Sequence, residues 1–113
     1  MLVGTFRIED QQFLALDGGP MFNFSPATSF YINCKTQEEI DYLWEALPAG
    51  GGKTSQCGWL DDKFGVTWQI VPEVMSELLY NNENPEKAKK VMAAMMKMTK
   101  MDIKLLQEAN DND

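Results

Sequence analysis

The 113-residue sequence contains no histidine, only two cysteines, no long apolar run and fewer basic than acidic residues. Without histidine, the chain cannot build a histidine-ligated metal site, a Ser–His or Cys–His nucleophile, or an imidazole acid–base pair. A second copy of the same chain could not supply the missing imidazole. Any catalysis would therefore have to use carboxylate, tyrosine, lysine or cysteine side chains.

The charge balance and the lack of apolar runs exclude several partners and locations. A net charge of −7 argues against binding to a nucleic-acid backbone or to an anionic membrane. No run of about 18 apolar residues occurs, so the sequence predicts no transmembrane helix. The start of the chain lacks the basic residues and the apolar run of a signal peptide, which indicates a cytoplasmic protein.

The two cysteines, Cys34 and Cys57, are too few for a disulfide scaffold. Both fall within predicted strands, so we expect buried free thiols, as is usual in a reducing cytoplasm. A nucleophilic Cys57 would need a base or a cation beside it, and only Lys53 and Lys63 are near it in sequence. The pattern therefore favours a structural thiol, and it identifies no catalytic residue.

The hydrophobic pattern predicts one domain over residues 1–113, with an α+β rather than an alternating α/β order. Period-two alternation predicts strands over residues 2–9, 12–16, 28–34, 57–60 and 66–71. Thr36 and Glu39 form a capping box for a helix that runs to about Leu47, and a flexible glycine-rich connection follows it. Residues 73–113 form a helical extension with caps at Asn84 and Asp102, and its last four residues are expected to fray.

The stretch over residues 56–72 is the most characteristic part of the chain. Its turn residues Asp61, Asp62 and Gly65 separate two strands, and Pro72 ends the second of them. Together with Leu-Asp-Gly-Gly-Pro at 16–20 and the helical tail, it resembles the PhnB-like branch of the glyoxalase/vicinal oxygen chelate superfamily. Members of that branch often carry the label 3-demethylubiquinone-9 3-methyltransferase.

The resemblance implies a fold of paired βαβββ modules that form a curved, mostly antiparallel sheet around a cleft. Residues 27–71 match most of the second module, and residues 2–16 match the last two strands of the first. The first strand, first helix and second strand of the family fold have no counterpart in this sequence. Because the sheet would then be incomplete, we expect a homodimer, formed by packing or by strand exchange.

The resemblance also bears on metals and cofactors. Metal-dependent relatives carry a glutamate ligand in the last strand of the second module, and Gln69 occupies that position here. A neutral amide is a poor ligand for a borderline cation, so we expect no metal. The glycines at 18 and 19 are followed by a loop with proline and phenylalanine rather than by a helix, so we interpret them as a turn and expect no cofactor.

Five residues are candidates for a ligand-binding cleft. Gln69 alternates with Trp68 and Ile70, so it is expected to point away from them. On that face it is either a hydrogen-bonding group of the cleft or a solvent-facing or structural amide. The other hydrogen-bonding and aromatic candidates are Gln56, Asn33, Trp59 and Tyr31. Aromatic side chains in a small sheet also serve as core, and the methionines at 92–98 fit either a binding surface or a packing face.

Three functions remain open for a bacterial-type protein of this kind. The first is a metal-independent small-molecule-binding protein that uses the sheet cleft. The second is a glyoxalase- or dioxygenase-type enzyme whose divalent metal is held by carboxylates. The third is a non-catalytic dimer whose modules only pack. The lack of histidine and the amide at Gln69 favour the first and the third.

Overall fold

The structure, a computed structural model, describes residues 2–111. Six strands, three α-helices and one π-helical turn follow one another along this part of the chain. They are β1 (Val3–Ile8), β2 (Gln11–Leu16), β3 (Ser29–Cys34), α1 (Gln37–Ala46), β4 (Lys53–Thr54), β5 (Trp59–Asp61), β6 (Thr67–Pro72), the π-helical turn Ser76–Tyr80, α2 (Pro85–Met96) and α3 (Ile103–Asp111). The predicted α+β class and the helical C-terminal part are confirmed.

The described strands form two separate sheets. One is the β1–β2 hairpin, and the other has four strands in the order β3-β6-β5-β4. Strand β3 pairs parallel to β6, whereas β6 with β5 and β5 with β4 are antiparallel. The order β3, α1, β4, β5, β6 is thus one β-α-β-β-β unit, because α1 carries the chain across to the far edge of the sheet.

One strand of this unit was not predicted, and the predicted start of another was wrong. The short strand β4 directly follows the glycine-rich connection and pairs through Lys53 with Asp61 and through Thr54 with Leu60. Because β4 has only two residues and follows three glycines, the sequence there shows no alternation of apolar and polar side chains. Strand β5 begins at Trp59 rather than at residue 57, because Cys57 has φ 58° and turns the chain just before the strand.

The sheet and the C-terminal helices share one core. The fully or nearly fully buried apolar side chains come from β3, α1, β5, β6, the π-helical turn, α2, α3 and the segment between the last two helices. They are Cys34, Ile40, Leu60, Ile70, Val71, Met75, Leu78, Val91, Met101 and Leu106. Half of these residues lie beyond Pro72, so the C-terminal part completes the core of the sheet.

Specific polar contacts fix the segment between α2 and α3 against the sheet. The backbone N–H of Cys57 donates to the Met98 carbonyl at 2.9 Å, and that of Gly58 donates to the Thr99 carbonyl at 2.8 Å. The Gln37 side chain both donates to the Met101 carbonyl and accepts from the Ile103 N–H, at 2.9 and 2.8 Å. The segment is not part of a strand, and these four bonds supply its backbone groups with hydrogen-bond partners.

The β1–β2 hairpin extends away from this core. Every residue of both strands is exposed, although period-two alternation, as over residues 2–9, is typical of a half-buried strand. Phe6 and Phe13 stack on one face with ring centroids 5.2 Å apart, whereas Val3, Leu14 and Leu16 lie on the opposite face. The radius of gyration is 17.2 Å, against about 13 Å for a compact chain of this length. The hairpin therefore presents two apolar faces to solvent.

No α-helix within residues 2–111 has both the length and the apolar character that are needed to cross a bilayer.

The β5–β6 turn is organised by Asp62. Its Oδ1 accepts the backbone N–H groups of Phe64 and Val66 at 2.9 and 3.0 Å, and its Oδ2 accepts the Trp68 indole N–H at 3.0 Å. Burial by itself would raise the pKa of Asp62, but the bonds from Trp68 and from the turn backbone outweigh it and lower the pKa. The carboxylate thus ties the turn to the start of β6.

We expect Asp62→Asn to destabilise the fold by about 1–3 kcal/mol, because its amide nitrogen would face the indole N–H, donor against donor. The matched control is Asp61→Asn, which keeps the oxygen that accepts from Thr67 Oγ1 at 2.8 Å and should change stability by less than about 0.5 kcal/mol. Denaturant unfolding of both variants measures the difference. Equal effects of the two substitutions would contradict this role of Asp62.

The same carboxylate predicts a pH dependence. Its folded pKa lies below the ordinary 3.8, so its contribution is present above that pH and is lost as the pH falls through the folded pKa. The stability difference between wild type and Asp62→Asn should therefore shrink below about pH 4. A stability difference between the two proteins that stays constant down to pH 2 would show that ionisation of Asp62 does not contribute to the stability of the fold.

Candidate functional site

A row of three side chains crosses the four-stranded sheet. Gln69 on β6 is the register partner of Tyr31 on β3 and of Trp59 on β5. Register partners project from the same face of a sheet, so the three side chains lie next to one another. Trp68 and Ile70 alternate with Gln69 and project from the other face, as the sequence predicted.

This row forms one wall of a cavity of about 150 Å³ between the sheet and the C-terminal segment. The opposite wall comes from the π-helical region, from α2 and from the segment before α3. The lining residues are Tyr31, Cys57, Trp59, Gln69, Val71, Met75, Tyr80, Met95 and Met101. Larger depressions among the described residues lie on the exposed hairpin, beside the loop that precedes β3, and beyond the ends of β3 and β6 around Lys35 and Glu73. Solvent-exposed side chains form most of the lining of each.

The cavity has a buried floor and an open mouth. Met75 and Met101 are 1% and 0% exposed, whereas Tyr31 and Tyr80 are 50% and 68% exposed. A molecule that enters past the two tyrosines would therefore meet thioether and aliphatic surface at the bottom. This combination of an apolar floor and a polar rim is typical of small-ligand sites.

No Asp, Glu, Lys or Arg side chain lines the cavity. The Gln69 Nε2 donates to Ser29 Oγ at 2.9 Å, which fixes the orientation of the amide. Burial raises the pKa of the Tyr31 hydroxyl, and the neighbouring Tyr80 raises it further. Tyr31 therefore remains a protonated phenol at neutral pH, so it can donate a hydrogen bond at the mouth.

Two of the five predicted cleft residues lie outside the cavity lining. Asn33 is exposed on β3, two residues beyond Tyr31, and is the register partner of Val71. Gln56 is exposed in the turn before β5, where its carbonyl accepts the Trp59 N–H at 3.1 Å. The structure thus brings Tyr31, Trp59 and Gln69 together and leaves these two amides apart from them.

Both cysteines are free in the structure, but their environments differ. Cys34 is buried, and burial followed by the nearby Glu39 raises the pKa of its thiol. Cys57 is only partly buried and lies in a turn rather than in a strand, so its predicted placement was wrong. Its Sγ contacts the Met95 carbonyl at 3.6 Å and lies 4.0 Å from Met96 Sδ.

The residues that sequence reasoning missed come mainly from the C-terminal part. The sequence allowed the methionine-rich stretch to be either a packing face or a binding surface, and in the structure its methionines have different roles. Met95 lines the cavity, whereas Met92 and Met96 are 42% and 58% exposed. Nothing in the local sequence pattern could assign Met75, Tyr80 or Met101 to the cavity, because the pattern does not say which face of the sheet the helices cover.

The comparisons with known proteins agree on a family. The family model described as 3-demethylubiquinone-9 3-methyltransferase matches residues 1–71. The solved structure of the PhnB protein from Bacillus cereus is similar, with 34% identity, a TM-score of 0.52 and coverage of 63% of this chain. This chain spans 64% of that protein's length. No curated protein matches. The chain belongs to the PhnB-like 3-demethylubiquinone-9 3-methyltransferase family.

Proposed function

We propose that this PhnB-like protein is a metal-independent small-molecule-binding protein that uses the cavity between the four-stranded sheet and the C-terminal segment. The observation that carries the proposal is the row of Tyr31, Gln69 and Trp59 across three strands, facing buried thioethers. A hydrogen-bonding amide between two aromatic side chains can orient a ligand, while the apolar floor contributes affinity.

Tryptophan fluorescence can test this proposal. A library of small fragments, both charged and neutral, is titrated into the full chain. We expect at least one fragment to change the emission, because Trp59 lines the cavity. Trp59→Phe should lose that response, whereas the matched control Trp44→Phe, on α1, should retain it. The proposal is overturned if no fragment binds, or if Trp59→Phe responds like the wild type.

The metal independence rests on the chemistry of the cavity lining. Its polar groups are one amide, two phenols, an indole and a thiol, and none of them is a carboxylate or an imidazole. Within residues 2–111, no three His, Cys, Asp or Glu side chains are grouped so that they could hold a metal ion. Hard divalent cations prefer carboxylate oxygens, which this site lacks, and a single thiol cannot complete a site for a borderline cation such as zinc.

Elemental analysis provides the corresponding test. Protein purified without an affinity tag should contain far less than one zinc, nickel or iron per chain after gel filtration. Fragment binding should also be unchanged after incubation with a chelator. Stoichiometric metal, or binding that disappears on chelation, would instead support an enzyme of the metal-dependent type.

We also propose that the protein is a homodimer in which a second copy covers the β1–β2 hairpin. Both faces of the hairpin carry exposed apolar side chains, and the outer edges of β1, β2 and β3 are unpaired within the described residues. Such edges and faces promote association, and pairing with an identical chain is the simplest closed arrangement. Packing and strand exchange would both bury these groups. We assign the dimer to the cytoplasm, where free thiols persist.

Sedimentation at low micromolar concentration tests the dimer. The wild type is expected to sediment as a dimer that buries more than about 2,000 Å². Phe13→Asp should dissociate it, because a carboxylate cannot be buried against the stacked Phe6 without a partner. The control Phe64→Asp changes a 71% exposed residue in the β5–β6 turn and should leave the dimer intact. A wild type that is folded and monomeric would contradict the proposal.

A further inference from the structure

We propose that the cavity selects an uncharged, flat molecule of about the size of phenol, which carries a hydroxyl group near Gln69. This inference rests on the proposed function and adds the chemical class of the ligand. Three properties of the lining lead to it: its volume and shape, its lack of charge, and the hydrogen-bonding capacity of one amide.

The volume and the side chains set the size and shape of the ligand. A cavity of about 150 Å³ accommodates a single aromatic ring, as engineered apolar cavities of that volume do with benzene. Trp59 and Tyr31 can stack on a flat ring. Met75, Met95 and Met101 supply polarisable thioethers, which contact aromatic rings favourably and adapt to their outline.

The electrostatics of the lining exclude ions. No Asp, Glu, Lys or Arg contributes to the cavity, and the Tyr31 phenol, whose pKa burial raises above the ordinary 10.0, is uncharged at neutral pH. A bound anion or cation would lose its hydration without gaining a countercharge, so its transfer into the cavity is unfavourable. The protein's net charge of −7 further disfavours anions approaching the mouth.

Gln69 specifies the polar group of the ligand. Its Nε2 donates to Ser29 Oγ, and this is the one hydrogen bond of its side chain to another group within residues 2–111. Its Oε1 and the second N–H of Nε2 therefore remain to pair with a ligand. A hydroxyl both donates and accepts, so it can use either atom of the amide, whereas a ligand without a polar group leaves the amide unpaired.

Calorimetric titration of the full chain at pH 7 with four ring-sized probes tests this selection. We expect phenol to bind at least ten-fold more tightly than benzoate, benzylammonium or toluene. Tighter or equal binding of benzoate or benzylammonium would overturn the ligand class but leave the cavity as a binding site. Failure of all four probes, together with a silent fragment library, would instead overturn the proposed function itself.

Substitutions of Gln69 test whether this side chain causes the preference for phenol. Gln69→Leu keeps the volume and should weaken phenol about ten-fold while toluene is unchanged. The control Asn33→Leu likewise replaces an amide by leucine, but at an exposed position two residues beyond Tyr31 and outside the lining, and it should leave both affinities unaltered. If Gln69→Leu fails to fold, Gln69→Glu serves instead, because a carboxylate there should reverse the preference from phenol to benzylammonium. Unchanged selectivity in a folded Gln69 variant would contradict the role of the amide.

Discussion

Replacing Gly58 by alanine is expected to destabilise the fold by about 3 kcal/mol, through backbone strain and a clash together. Gly58 has φ 83°, a conformation that side chains with a Cβ adopt at a cost. A Cβ built there would lie 2.6 Å from the Ile70 carbonyl oxygen and 3.2 Å from Met101 Cγ. Neither neighbour can withdraw easily, because the Ile70 N–H donates to the Gly58 carbonyl at 2.7 Å and Met101 is fully buried.

Two control substitutions separate strain from the clash. Gly65→Ala introduces a Cβ at φ 89°, where the nearest side-chain atom is 4.0 Å away, so only the strain of about 1–2 kcal/mol is expected. Gly18→Ala has neither a positive φ nor an atom within 4 Å, and it should be nearly neutral. Denaturant midpoints that rank the three in any other order would contradict the close approach of β5, β6 and the segment before α3.

The second large effect is expected for Leu106→Ala, which should cost about 2–5 kcal/mol, the range for a fully buried leucine. Leu106 lies on α3 and belongs to the same buried cluster as Ile70 and Leu60 of the sheet. Removing its side chain should therefore lower the unfolding midpoint of the whole protein, because the helices and the sheet share that core.

The adjacent Leu105 provides the control for this prediction. It is 49% exposed on the same helix, so Leu105→Ala should change the stability by less than about 1 kcal/mol. Unfolding is followed both by far-ultraviolet circular dichroism and by fluorescence, in a background where Trp44 and Trp59 are replaced by phenylalanine so that only Trp68 on β6 emits. If Leu106→Ala melts the helices first while Trp68 stays in its folded environment, the C-terminal part forms a separate cooperative unit.

Local rules explain why most elements could be predicted. Thr36 accepts the Glu39 N–H at 3.2 Å, and Asn84 accepts the N–H groups of Glu86 and Lys87, as the predicted caps require. The alternation on β6 placed Gln69 opposite Trp68 correctly. These features depend on neighbours within four residues in the chain, so the sequence contains the information that defines them.

The errors concern features that depend on distant partners. Strand β4 exists because Lys53 and Thr54 pair with β5, and Cys57 takes a positive φ where its N–H meets the Met98 carbonyl. The methionine side of the cavity likewise depends on how α2 docks onto the sheet. Three of the nine lining residues, Tyr31, Trp59 and Gln69, were therefore predicted from the strands, whereas the methionine side follows from packing between elements far apart in sequence.

Binding in the cavity is tested most directly by a two-dimensional ¹H–¹⁵N NMR spectrum of the full chain, recorded with increasing phenol. We expect the largest shifts on the Gln69 side-chain amide and the Trp59 indole, with the Trp68 indole on the opposite face nearly unmoved. Shifts that concentrate at Trp68 and Phe30, or no shifts at phenol concentrations that saturate calorimetric binding, would contradict binding in the cavity.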